Sequence, residues 1–225
     1  MKPVDLAVLC ALSQELGPLA DRLAVTVRRA DLEILEGNVA GLEIRAVVGG
    51  VGKVAAARAA SWLVEPSPRL GLVVVGVCGG LAANQPIGSL VHCSEAVQCD
   101  LHLPGRGRVA ADADLGELWR RVAPAASARF LTADRAAMTP WRRFGRRLRH
   151  GPGDCVADME TAAAAWVAHR AGVPWAALRA VSDTQGWRRA RSFAENFATQ
   201  APRAAATVVD LCGALARRSA PEDAP

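Results

Sequence analysis

Asp158-Met159-Glu160 opens an alanine-rich helical stretch, and the apolar run at 173–178 leads into Arg179-Ala180-Val181-Ser182-Asp183. These residue types can do acid–base and electrostatic chemistry, because carboxyl groups give, take or hold protons and a guanidinium fixes anionic partners in a fork. In an open α/β sheet, which the patterning suggests, the strand and helix ends converge on one crevice, so groups this far apart in sequence can act on one bound molecule. A further carboxylate, Glu15, falls in the first turn of the helix expected after the first strand. Its plainer account is a favourable charge against the helix dipole. For Asp183 the plainer account is a loop cap after its strand. Together the groups read as an active site.

The elements that must position them follow from hydrophobic patterning. Residues 4–12 read as a first strand, with Ser13 capping a helix that runs to about residue 24. Residues 31–37 and 42–48 read as two strands joined by a turn at 38–41, and Gly49-Gly50-Val51-Gly52-Lys53 opens a helix over 54–64. Residues 70–77 form a buried strand ending in Cys78-Gly79-Gly80, and 87–91 begins another. From 100 to 153 the pattern weakens to a helix at 115–122, a strand at 128–132 and an arginine-rich helix. A strand at 155–157, a helix at 159–171, a strand at 175–181 and one long helix over 192–217 complete an α/β sandwich. The reading is one domain over 1–218, with 219–225 a frayed tail.

Composition narrows the function classes. The chain has 225 residues, 51% hydrophobic and 22% charged, ordinary for a soluble globular domain. The start shows no secretory leader pattern, and the apolar runs at 70–78 and 173–178 are too short for a membrane span. A soluble, cytoplasmic protein is expected. The six cysteines, Cys10, Cys78, Cys93, Cys99, Cys155 and Cys212, form no CxxC pair and read as reduced, buried small hydrophobes. His92, Cys93, Cys99 and His102 match no standard zinc spacing, so no metal is expected there. Much of the net charge of +5 comes from arginine, with Arg142, Arg143, Arg146, Arg147 and Arg149 in one short segment. With aromatics at 4% and no tyrosine, the segment reads as a solvated helix face rather than a base-stacking nucleic-acid surface.

Two glycine-rich turns invite nucleotide readings. Walker A fails at Gly49–Lys53, because Val47 stands where its first glycine belongs and Val54 where its Ser or Thr belongs. No spaced GxGxxG follows the first strand, where Cys10-Ala11-Leu12-Ser13 stand instead, which excludes a Rossmann fingerprint. The amides of the Gly49–Lys53 turn suit either an anionic or polar ligand edge or tight packing. The Gly79-Gly80 turn is equally open.

In order along the chain, Ala11-Leu12-Ser13-Gln14-Glu15, Gly50-Val51-Gly52-Lys53-Val54-Ala55-Ala56, Gly79-Gly80-Leu81 with Ile87-Gly88, Asp158-Met159-Glu160 and Arg179-Ala180-Val181-Ser182-Asp183 resemble one family. It is the purine nucleoside phosphorylase and nucleosidase superfamily, and among its members the 5′-methylthioadenosine/S-adenosylhomocysteine nucleosidases. The resemblance implies a nucleoside phosphorylase-like, three-layer α/β/α sandwich with a central mixed, twisted sheet. It implies hydrolysis of the N-glycosidic bond of a 5′-substituted adenosine, with no cofactor and a homodimeric enzyme.

By the same resemblance Glu15 activates the attacking water, with Arg179 near it. Asp183 protonates the purine N7 with Ser182 orienting it, Glu160 grips the ribose hydroxyls and Met159 lies beneath the sugar. Gly79, Val77 and Ala137 fall at substrate-binding positions. Glu15, with no arginine before Arg22, disfavours a phosphate nucleophile, and Asp183 favours a 6-aminopurine. Val77 stands where the nucleosidases carry a serine, and Ala136-Ala137 where an aromatic stacks on the base; losing that stack forfeits on the order of 1 kcal/mol, with Trp141 or Phe130 as replacements. The segment 184–188 also departs from the usual acidic loop, which points to a shifted substrate. Alternatives are a phosphorylase, a nucleosidase for futalosine or adenosylhopane, and a nucleoside-binding module without turnover.

Overall fold

Two valine- and leucine-rich strands buried on both faces organise the chain, β1 (Leu6–Cys10) and β5 (Gly71–Gly80), which run parallel as such apolar runs do. The structure, a computed structural model, describes residues 3–29, 32–82, 84–101, 107–135, 154–184 and 189–219. After β1 come a 3-10 helix (Ser13–Arg22), β2 (Ala24–Arg29), β3 (Leu32–Val39), β4 (Leu42–Val48) and α1 (Lys53–Val64). After β5 come β6 (Leu90–Gln98), β7 (Arg108–Ala110), α2 (Ala113–Val122), β8 (Ala126–Thr132) and β9 (Cys155–Asp158). The chain continues through α3 (Thr161–Arg170), β10 (Trp175–Asp183), α4 (Arg189–Gln200) and α5 (Arg203–Ser219).

The strands form one mixed sheet in the order β10-β6-β8-β9-β5-β1-β4-β3-β2, with β7 on β6 and a further pairing of β10 with β5. That last pairing closes β5, β10, β6, β8 and β9 into a ring, where the sequence pattern had suggested an open sheet. Closure is possible because β5 serves two partners. Its length runs parallel to β10, while its last residues Gly79 and Gly80 pair antiparallel with Ala157 and Val156 of β9.

Helices cover both faces, giving the expected three layers. On one side the alanines of α1 and α3 (Ala59, Ala60, Ala164, Ala165, Ala168) let the two helices lie close to each other and to Leu9, Leu72 and Phe130. On the other, Leu16 and Leu19 of the 3-10 helix, Trp119 of α2 and Val208 and Leu211 of α5 pack on Leu6, Val8 and Val73. Each fully buried Leu or Val there contributes about 1.5–3 kcal/mol. Among the described residues no helix is long and apolar enough to cross a membrane.

Several expectations need correction. The segment after β1 is a ten-residue 3-10 helix that stops at Arg22, and β2, a strand not foreseen, begins at Ala24, where that helix was expected to end. Gly17 interrupts that helix at φ 47°, ψ −136°, just before Pro18, and a side chain there would meet Pro202 at 2.9 Å from its Cα. Ser13 is not the cap: Leu12 holds that position, and the Glu15 carboxylate accepts the Leu12 amide. β6 is longer than expected, and β7 was not foreseen. The long final helix is two helices, α4 and α5, broken at Ala201-Pro202 because proline has no N–H to continue the ladder. All six cysteines are buried and none is in a disulfide. His92, one of the histidines weighed as a metal ligand, has its Nε2 2.9 Å from the Ala123 carbonyl and its ring against Trp119. The arginine-rich segment, His102 and residues 220–225 lie outside the described residues.

Candidate active site

The carboxyl ends of β5, β9 and β10 and the turn after β1 surround a cavity of about 360 Å³. Glu15, Val77, Gly79, Met159, Glu160, Arg179, Ser182 and Asp183 all line it, brought together from four separate stretches of chain. Ala137 and Trp141 lie outside the described residues. Phe130, considered as a ring for stacking, is fully buried in the core on β8 and does not border the cavity.

Glu15 is 2% exposed and held by backbone alone among its described bonds. Its Oε2 accepts the amides of Ala11 at 2.8 Å and Leu12 at 3.0 Å, and its Oε1 accepts the amide of Val77 at 3.0 Å. A carboxylate has about four acceptor sites, so roughly one remains for a bound molecule. Gly76 makes room for this: at φ 141° an added Cβ would fall 2.8 Å from the Glu15 carboxyl carbon and 2.9 Å from Arg179 Nη1. The backbone of Val77 therefore contributes more than its side chain, giving its N–H to Glu15 and its carbonyl to Arg179.

Arg179, on β10 and 1% exposed, spreads its guanidinium over four partners. Nε lies 3.2 Å from Asp158 Oδ2 and Nη2 3.3 Å from Glu160 Oε2. Both nitrogens also donate to Thr161 Oγ1, and Nη1 donates to the Val77 carbonyl at 3.0 Å. Burial opposes its charge, yet Asp158, Glu160 and Glu15 outweigh it and raise its pKa. Asp158 is in turn fixed by the Thr132 hydroxyl and by the Thr161 amide at 3.1 Å. Glu160 takes the Gly52 amide at 3.0 Å on its other oxygen. Burial pushes the Glu160 carboxyl up to about 7; Arg179 opposes that rise and Asp158 adds to it.

Ser182 and Asp183 are adjacent on a strand and would ordinarily point to opposite faces. The register between β10 and β5 shifts between Val181 and Asp183, so that Ser182 is the extra residue and both side chains reach the cavity. Such a bulge re-aims a side chain at the cost of one ladder position. The Ser182 hydroxyl lies 2.9 Å from Asp183 Oδ1 and 3.2 Å from the Cys78 carbonyl.

The rest of the lining is apolar, and sequence reasoning had missed it. Leu12, Val51, Phe193 and Phe197 form it, the two phenylalanines with ring centroids 5.2 Å apart on α4. Their i, i+4 spacing on a helix was the signal available. The Gly49–Lys53 turn binds this chain's own carboxylates: the Gly52 amide meets Glu160, and the Lys53 amide meets Asp134 Oδ1 at 2.8 Å.

The fold and the site define the class: an α/β sandwich with a largely apolar cavity at its strand ends that carries a cluster of carboxylates and is sized for a small organic molecule. The chain belongs to the phosphorylase superfamily, whose sequence profile matches residues 5–216. It is similar to the 5′-methylthioadenosine/S-adenosylhomocysteine nucleosidase of Neisseria meningitidis, solved with methylthio-immucillin-A. The identity is 27% over 92% of this chain and 98% of that one, with a TM-score of 0.85. The corresponding nucleosidase of Colwellia psychrerythraea, solved with adenine, shares the fold at 23% identity over 95% and 96% of the two chains, TM-score 0.85. The futalosine hydrolase of Helicobacter pylori does so at 18% identity over 92% and 96%, TM-score 0.83.

Proposed function

We propose that this protein is a nucleosidase that hydrolyses the N-glycosidic bond of a 5′-substituted adenosine, with water as the nucleophile. The observation that carries the choice of water is the capture of the Ala11, Leu12 and Val77 amides by Glu15. A phosphate nucleophile needs such amides or a cation. Here the amides are occupied by a carboxylate, and Arg179, the one cationic side chain lining the cavity among the described residues, is engaged by Asp158 and Glu160. Water, by contrast, gains from a carboxylate that accepts its proton.

In this reading Asp183 gives a proton to the departing purine, steadied by Ser182, and Glu160 accepts the ribose hydroxyls. As the bond breaks, positive charge develops on the ribosyl group, which Glu15 and Glu160 stabilise from fixed positions. Because Glu160 sits near 7 and only its ionised form is a pure acceptor, kcat/KM is expected to fall as pH drops through about 7. A profile from about pH 5 to about pH 9 reads this, and Glu160→Gln is expected to flatten that limb. A limb that persists in the variant assigns it elsewhere.

The apolar lining of Leu12, Val51, Phe193 and Phe197 suits an uncharged 5′ group. A homocysteine zwitterion would be desolvated against it at a cost. Methylthioadenosine is therefore expected to exceed S-adenosylhomocysteine in kcat/KM by about tenfold. The test is adenine release from both and from adenosine, with and without phosphate. Release that needs phosphate moves the protein to the phosphorylases; binding of adenine without turnover ends the enzyme reading.

A further inference from the structure

We propose that Lys53, Asp100 and Asp134 form a clasp that aims the Gly52 amide at Glu160, and that Asp134 is thereby a positioning residue for recognition of the sugar hydroxyls. This rests on the nucleosidase reading. Three segments meet in the clasp: the first turn of α1, the turn after β6 and the turn after β8. Lys53 Nζ lies 2.7 Å from Asp100 Oδ1 and 3.6 Å from Asp134 Oδ2. The Asp134 amide donates to Asp100 Oδ2 at 3.1 Å, and the Lys53 amide donates to Asp134 Oδ1 at 2.8 Å. Gly52 and Lys53 thus present two successive amides, one held by Asp134 and the other holding Glu160 at 3.0 Å.

Glu160 Oε2 faces Arg179 at the longer distance of 3.3 Å, so an oxygen that turns to meet sugar hydroxyls leaves Gly52 as the fixed anchor of that carboxylate. Gly52 is in the left-handed region at φ 98°, and Asp134 Oδ1 lies at ordinary contact distance, 3.4 Å from where a Cβ would be. Asp134 acts on its direction through the next peptide, by accepting the Lys53 amide at 2.8 Å. The Asp134 side chain is 55% exposed and that of Asp100 34%, and ion pairs this exposed add little stability. Geometry is the better account of the cluster. It also gives the lysine of the Gly49–Lys53 turn a role that does not involve phosphate.

The experiment measures the ratio of kcat/KM for 5′-methylthioadenosine to that for its 2′-deoxy analogue. Asp134→Ala is expected to lower the ratio about tenfold, the scale of one misaligned hydrogen bond to a charged group. Asp134→Asn, which keeps an acceptor for the Lys53 amide, is expected to restore most of it, and Kd for adenine by calorimetry should stay within about twofold, since Lys53, Asp100 and Asp134 do not line the cavity. An unchanged ratio, or an equal loss on both substrates, overturns the proposal. Should Asp134→Ala fail to fold, Lys53→Ala is expected to lower the ratio about threefold and decides in its place. If the wild type binds nucleosides without turnover, the nucleosidase reading falls. The clasp is then judged on the ratio of Kd for the same two nucleosides.

Discussion

Asp183→Asn is expected to reduce adenine release about a thousandfold with little change in substrate affinity. Asparagine nearly matches the shape of aspartic acid, and Ser182 at 2.9 Å still has an oxygen to meet. What it lacks is a proton to give, and a purine that leaves unprotonated carries a full negative charge into a site already rich in carboxylates. A 7-methylpurine nucleoside, whose base is cationic before the bond breaks, needs no such proton. It should restore Asp183→Asn to within about tenfold of wild type and should not restore Glu15→Gln, because water must still be activated. Steady-state rates on the two substrates separate the acid from the base. If Asp183→Asn keeps more than about a tenth of wild-type activity on methylthioadenosine, Asp183 is not the acid.

That experiment turns on a feature the sequence could only half reveal. Ser182-Asp183 was legible as a pair at a strand end, but alternation would have sent one of the two away from the cavity. The bulge that brings both inward depends on how β10 pairs with β5, which is non-local information. Ring closure was hidden for the same reason, since it rests on Gly79 and Gly80 meeting Ala157 and Val156. The buried strands were readable because their apolar runs are continuous, and Glu15 because its place after β1 is local. Its amide partners were not readable, since Val77 lies 62 residues away. The break at Pro202 and the interruption at Gly17-Pro18 follow from residue chemistry alone, although the hydrophobic periodicity runs on past both. Lys53 was misleading by type: a lysine after a glycine-rich turn suggests phosphate, and only the positions of Asp100 and Asp134 redirect it.

Arg179→Met is expected to cost about 3–5 kcal/mol of folding stability, the scale of breaking a buried ion pair from one side. Methionine fills similar volume, so the loss is electrostatic: Asp158 and Glu160 remain buried with no cation between them. The penalty must depend on pH, and its sign follows from which state holds protons. Burial already lifts Glu160 to about 7 in the folded protein, with Arg179 working against that rise. Removing Arg179 lifts it further, so the folded variant binds protons that the unfolded chain has released, and its stability falls as pH rises. The deficit against wild type should therefore be larger at about pH 8 than at about pH 5, measured by urea unfolding at both. Arg179→Lys should recover only part of it, because an ammonium cannot reach Asp158, Glu160 and the Val77 carbonyl together as the guanidinium fork does. A deficit below about 1 kcal/mol, equal at both pH values, would mean that the carboxylates are paired elsewhere. In the folded protein the same pairing engages Arg179 with Asp158 and Glu160, and this ties the stability of the site to the proposed choice of water over phosphate.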